Sequence, residues 1–146
     1  MTCWSPCRKR TDIYTLDCLP LIDFDATQDM YGYMKTLDRF LEMDFEAFVT
    51  GHAGRLANRD DVKLTRDYVH DVYETVKRAQ SKFDDPTIYA EDRWTEMVKA
   101  KKMFSDVWEN AAQEVLERWK SGPLLGVDLW VESHCRTMSL YVRFSD

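Results

Sequence analysis

Histidine is scarce in this chain. Only three occur among 146 residues, His52, His70 and His134, and no two of them form a His-x-His pair. There is no H-E-x-x-H, no G-x-S-x-G elbow and no phosphate-binding glycine loop, so zincin, serine-hydrolase and P-loop chemistry have no anchor here. No apolar run approaches the ~20 residues of a membrane-spanning helix. The N-terminal MTCWSPCRKR carries charge but no apolar core, so it does not read as a secretory signal. Positive charge is in deficit: 20 Lys and Arg stand against 26 Asp and Glu, for a net charge of −6. That balance argues against a nucleic-acid partner, which would ask for a basic face. The four cysteines, Cys3, Cys7, Cys18 and Cys135, make no CxxC unit. Cys3 and Cys7, spaced CxxxC, hint at most at a metal or disulfide site, and the set is expected to be reduced thiols of a cytoplasmic protein. No internal repeat or low-complexity segment is present.

What remains is the composition of a soluble globular protein, 45% hydrophobic and 32% charged. Five Trp, seven Tyr and seven Phe are enough for an aromatic-rich core. At this length one domain is expected, burying ~68–70% of the surface of the unfolded chain.

Residues 1–18 show no periodic pattern and read as a poorly organised N-terminal segment. Leu19 to Phe24 is apolar but interrupted by Pro20, which suits an extended or edge strand. Thr27 can cap a helix in which Met30, Tyr33, Met34, Leu37, Phe40 and Leu41 share one face, with Asp29 in its first turn. Phe45 to Val49 fits a short buried strand. Asn58 or Asp60 can cap a long helix with an apolar stripe of Val62, Thr65, Val69, Val72, Val76, Ala79 and Phe83. His70 is turned about 100° from Val69 and is expected to face solvent. Asp85 and Pro86 stop that helix and start another. A further stripe runs Trp94, Met97, Val98, Lys101, Phe104, Val107, Trp108, Ala111, Val115 and Trp119, ending at Ser121-Gly122-Pro123. The spacing of Trp130, His134, Met138 and Tyr141 predicts a last helix over about 127–142, with LYVRF conceivable as a strand. Its adjacent His134 and Cys135 point about 100° apart, which disfavours both binding one metal. His134 is expected to pack on the core face.

The most informative stretch is Phe45 to Asp61, FEAFVTGHAGRLANRDD: a strand, a Gly-rich turn carrying His52, and a capped helix. A histidine on the rim of a strand is held by rigid scaffold, as metal ligation requires, although a hydrogen-bonded turn residue is the commoner role. This stretch, with VKLTRDYV after it, resembles the C-terminal signature of metallo-β-lactamase-fold hydrolases. Upstream, LPLIDFDATQDMYGYMKTLDRFLEMDF is similar to the helix preceding that strand, and VDLWVESHCRTMSLYVRFSD is similar to the tail of one subgroup. The resemblance covers roughly residues 19–146. It implies that His52 is the last ligand of a two-zinc site, and that the parent activity is hydrolysis by a metal-bound hydroxide. Arg55 and Asn58 would then orient groups near His52, though turn and capping roles account for Asn58 equally.

The family's ligand-rich half, with its His-x-His-x-Asp-His motif, is absent from this chain. Asp17, in YTLDCLPL, is a poor stand-in for the bridging carboxylate: it lies close to Pro20, and Leu16 stands where the family has glycine. Only His52 carries over. The expectation is therefore a mainly α chain with one or two short strands, the latter from Phe45–Val49 and Leu19–Phe24. It would be the C-terminal portion of an αββα metallo-β-lactamase sandwich plus C-terminal helices. Such a truncated hydrolase would be inactive alone and would not hold zinc tightly. Its expected partner is a missing N-terminal half or a second copy of itself, with no nucleic acid and no membrane. The alternative is a non-enzymatic helical interaction domain that binds a protein partner.

Overall fold

The computed structural model describes Phe24 and residues 29–49, 55–90, 95–124 and 126–144. Among these the chain is mainly helical: α1 (Met30–Glu42), β1 (Phe48–Val49), β2 (Leu56–Ala57), α2 (Arg59–Phe83), a short 3-10 helix (Pro86–Tyr89), α3 (Glu96–Trp119) and α4 (Val127–Phe144).

Each helix follows from an apolar stripe and a capping signal. In α1 the stripe buries Met30, Met34 and Leu37, and the Asp29 carboxylate accepts from the Gly32 N–H. Asp29, not Thr27, is therefore the cap; Thr27 lies outside the described residues. In α2 the stripe buries Val62, Thr65, Tyr68, Val69, Val72, Thr75 and Val76. Asn58 caps it in a reciprocal capping box with Asp61. The stop at Asp84 and restart at Asp85-Pro86 occur as the sequence suggests, and among the described residues the restart is a 3-10 turn, Pro86–Tyr89. Gly126, at φ +78°, lets the chain turn into α4.

The helix α2 is the hub, packing against α1, α3 and α4. Polar contacts fix the directions. Arg66 of α2 meets Asp38 of α1 at 2.8 Å, and Arg59 donates to the Leu41 and Met43 carbonyls, so α1 runs antiparallel to α2. Trp119 donates to Asp71 at 2.8 Å and Arg78 to Glu114 at 2.7 Å, so α3 is antiparallel as well. The α4 helix runs with α2: Tyr68 meets His134 near one end of the pair, and Asp84 meets Arg143 near the other. One core fills the space between, with Tyr68, Phe48, Met30, Leu37, Met138 and four valines of α2 fully buried. No helix among the described residues is long and apolar enough to cross a membrane.

Three points differ from expectation. The described partner of Phe48–Val49 is Leu56–Ala57, an antiparallel hairpin neighbour that the sequence had not suggested; residues 19–23 of the expected Leu19–Phe24 strand lie outside the described residues. Of that upstream segment only Phe24 is described, as a buried ring. The N-terminal third of the α3 stripe is not core: Met97 is 81% exposed and Val98 44%. Burial in α3 begins at Val107, where α2 and α4 flank it. The helix expected over about 127–142 is present as α4, with LYVRF forming its last turns. His70 is half-buried at the seam between α1 and α2, its Nε2 3.8 Å from Asp38.

Candidate functional site

The candidate site is the hairpin between α1 and α2. Its register, Phe48 opposite Ala57 and Val49 opposite Leu56, makes residues 50–55 the connection between the strands. His52 sits in this connection, at a position outside the described residues. The residues around it are held firmly. Phe48 is fully buried and packs edge-on to Phe40 at 5.3 Å, with Phe45 at 5.9 Å. Arg55, the last residue of the connection, makes a bidentate ion pair with Asp61, at 2.7 and 2.6 Å. Asp61 also accepts from the Asn58 N–H at 2.9 Å and donates its own N–H to the Asn58 side chain at 3.0 Å. The Arg55 guanidinium, assisted by the Asn58 N–H, holds the Asp61 carboxyl below the usual carboxylate range against a smaller opposing effect of burial. Arg59 spans from α2 to the C-terminal carbonyls of α1 and lies over the Phe45 ring. Arg55 and Asn58 thus tie the hairpin to the start of α2.

The other histidines are elsewhere. His134 of α4 is 1% exposed. Its Nδ1 lies 2.9 Å from the Tyr68 hydroxyl, and its ring stacks on Phe24 at 4.6 Å. Burial pushes the Tyr68 phenol far up, so the hydroxyl keeps its proton and can donate it to Nδ1. Cys135, next in sequence, is also buried, and burial is the main reason its thiol is pushed up to about 12. His134 is a core residue, as its spacing implied. His70 and His134 do not belong to one cluster: the described residues contain no group of three or more His, Cys, Asp or Glu placed to hold a metal ion. Asp17, Cys3, Cys7 and Cys18 lie outside the described residues. The described side chains do not supply a two-zinc ligand set.

A second feature lies between three helices. Tyr73, Lys77, Gln80 and Asp84 line a cavity together with Tyr31 of α1 and Tyr141 of α4. Their spacing of four, three and four residues along α2 is the signal that could have found it.

No family model matches the chain, and neither a curated protein nor a solved structure is significantly similar to it.

Proposed function

We propose that this chain is the C-terminal part of a metallo-β-lactamase-fold hydrolase, carrying one corner of a two-zinc site and inactive by itself. The reading rests on the residues of FEAFVTGHAGRLANRDD. The observation that supports it is the order helix, short strand, Gly-His connection, capped helix, with the connection braced on both sides. Val49 pairs with Leu56 before it, and Arg55 is clamped to Asp61 after it. A braced connection is what a ligand-bearing turn requires, because metal geometry tolerates little displacement of the imidazole. The remaining ligands would come from an N-terminal half of the sandwich, and the αββα arrangement belongs to that larger unit. A cytoplasmic location goes with this reading. Sequencing the DNA upstream of the coding region tests it: a His-x-His-x-Asp-His motif encoded in frame or in an adjacent reading frame is expected, and its absence counts against the proposal.

A second reading has its own support. The helices close a core without help from a sheet face, and Met97, Leu129 and Phe144 stand exposed on the outside of α3 and α4. An interaction domain would use such side chains to meet a protein partner or a second copy of itself, whereas singly placed ones are ordinary on monomer surfaces. Light scattering on the purified chain separates the two occupants: a dimer supports self-association, a monomer leaves a different partner.

A further inference from the structure

The helix α4 is apolar on two sides. Val131, Cys135 and Met138 are buried on the side that meets α2 and α3. Leu140 lies nine residues beyond Val131, about 180° round the helix. It is accordingly exposed, at 45%, and so are Leu129 before it, at 74%, and Phe144 after it, at 73%. The three fall within about 60° of one another on the outer side, so they form a stripe and not isolated side chains. Ser133 and Arg136 lie on the same stripe, in the gap between Leu129 and Leu140. A surface helix needs one apolar face, and a second one asks for a cover.

The pattern of the stripe indicates what that cover is. Lay a second α4 across it, turned end for end about a two-fold axis, with Leu129 of each copy against Phe144 of the other. The same register sets the small Ser133 of each copy opposite the partner's large Leu140, which fills the gap. The edges of the stripe agree with this arrangement. One edge carries Glu132 and Arg136, the Arg136 guanidinium lying over Trp108 at 5.7 Å. The other carries Trp130, Thr137 and Tyr141, all uncharged. In an antiparallel two-fold pair the charged edges face each other in opposite directions. Each Glu132 then comes within about 7.5 Å, along the axis, of the partner's Arg136, a distance that the two side chains can span. A parallel pair would set the charged edge against the uncharged one.

We propose that the outer face of α4 is a self-association surface, through which two copies of this chain pair by antiparallel α4 helices. The proposal rests on the interaction-domain reading and names its partner. Two 18-residue helices packed in this way bury roughly 1,000 Å² in total, the low end for a specific interface, so the dimer is of micromolar affinity.

Sedimentation velocity of the full chain across the micromolar range tests the pairing. A monomer–dimer equilibrium is expected. Leu140→Glu and Phe144→Glu should each weaken it by about ten-fold or more, with the helical circular dichroism unchanged. Met97→Glu, at an exposed apolar position off this face, should leave it as it is. A variant carrying both Leu129→Cys and Phe144→Cys fixes the direction. Within one copy these positions are about 22 Å apart along α4, so a 129–144 disulfide must join two copies. Peptide mass spectrometry after oxidation should find that linkage between copies. A chain that stays monomeric throughout overturns the proposal and leaves the interaction-domain reading with a different partner. A dimer that survives both glutamate substitutions, or that yields 129–129 and 144–144 linkages instead, overturns the antiparallel α4 pairing while self-association itself stands.

Discussion

The hydroxyl of Tyr68 and the Nδ1 of His134 meet 2.9 Å apart inside the core, joining α2 to α4 across 66 residues of sequence. Both side chains are almost entirely buried. The contact is a buried polar pair, and such pairs are costly to break from one side. Tyr68→Phe is expected to lower stability by about 1–3 kcal/mol, since it leaves a buried ring nitrogen without this hydroxyl. His134→Ala should cost more, about 3–5 kcal/mol, because the Phe24 stacking contact is lost and a cavity opens as well. Urea denaturation followed by tryptophan fluorescence measures both. A loss below about 0.5 kcal/mol for His134→Ala would mean that the ring is not core.

The hairpin brace gives an acid-sensitive contribution to stability. The folded Asp61 carboxyl titrates below its ordinary value of 3.8, chiefly through Arg55. Its stabilising effect is therefore fully present above the unfolded value and is lost as pH falls through the lower folded value. Wild type should lose this increment below about pH 4, the ordinary carboxylate range, and Asp61→Asn should lack that part of the acid transition. Glu114, lowered by Arg118 and then Arg78, contributes with the same sign between α2 and α3. Stability measured at intervals from pH 7 to pH 2.5 checks the difference; parallel curves for wild type and Asp61→Asn would dismiss it. Asn58→Ala, which removes the other half of the capping box, should cost about 1 kcal/mol.

Phe48→Ala tests whether the hairpin belongs to the core. Phe48 is fully buried between Phe40 and Phe45, so a loss of about 3–5 kcal/mol is expected. Thermal unfolding by circular dichroism reads it out, and a chain of this size should melt roughly 6–20 °C lower. An unchanged melting temperature would detach the hairpin from the fold.

Cys135 should be chemically silent in the folded chain. It is buried, and its thiol is pushed up to about 12. Iodoacetamide at pH 8 followed by mass spectrometry should leave Cys135 unmodified in native buffer and alkylate it in 6 M guanidinium. Native labelling as fast as in denaturant would show that the α4 core face opens readily.

The helices were legible because their stripes keep the 3.6 period over three to seven turns and are bounded by Asn58, Asp85 and Ser121-Gly122-Pro123. The hairpin partner was not. Leu56–Ala57 is two residues long, carries no period of its own, and is hidden between a Gly-rich turn and a helix cap. Leu19–Phe24 has more apolar residues and is the more visible strand candidate in the sequence. Met97 and Val98 continue the α3 stripe in sequence but extend past the flanking helices, and periodicity carries no information about where neighbours end. The burial of His70 has a related cause: its angle from Val69 takes it off the α3–α4 side of α2, yet α1 covers the side it turns to. Of the candidate site, the order of elements around His52 was readable, whereas the Arg55–Asp61 clamp depends on a turn geometry that residue spacing does not specify. The tyrosine cavity draws on three helices and could be seen only once they were assembled.

Zinc content of the purified full chain, measured by elemental analysis after extensive dialysis, tests most directly whether His52 is one corner of an incomplete site. A zinc site needs three or four protein ligands, and this chain is expected to offer only one of the family's. Well under one zinc per chain should therefore be retained, and the value should be the same for wild type, His52→Ala and His70→Ala. One or more zinc ions per wild-type chain, lost on His52→Ala but not on His70→Ala, would contradict this: the chain would then build a complete metal centre of its own.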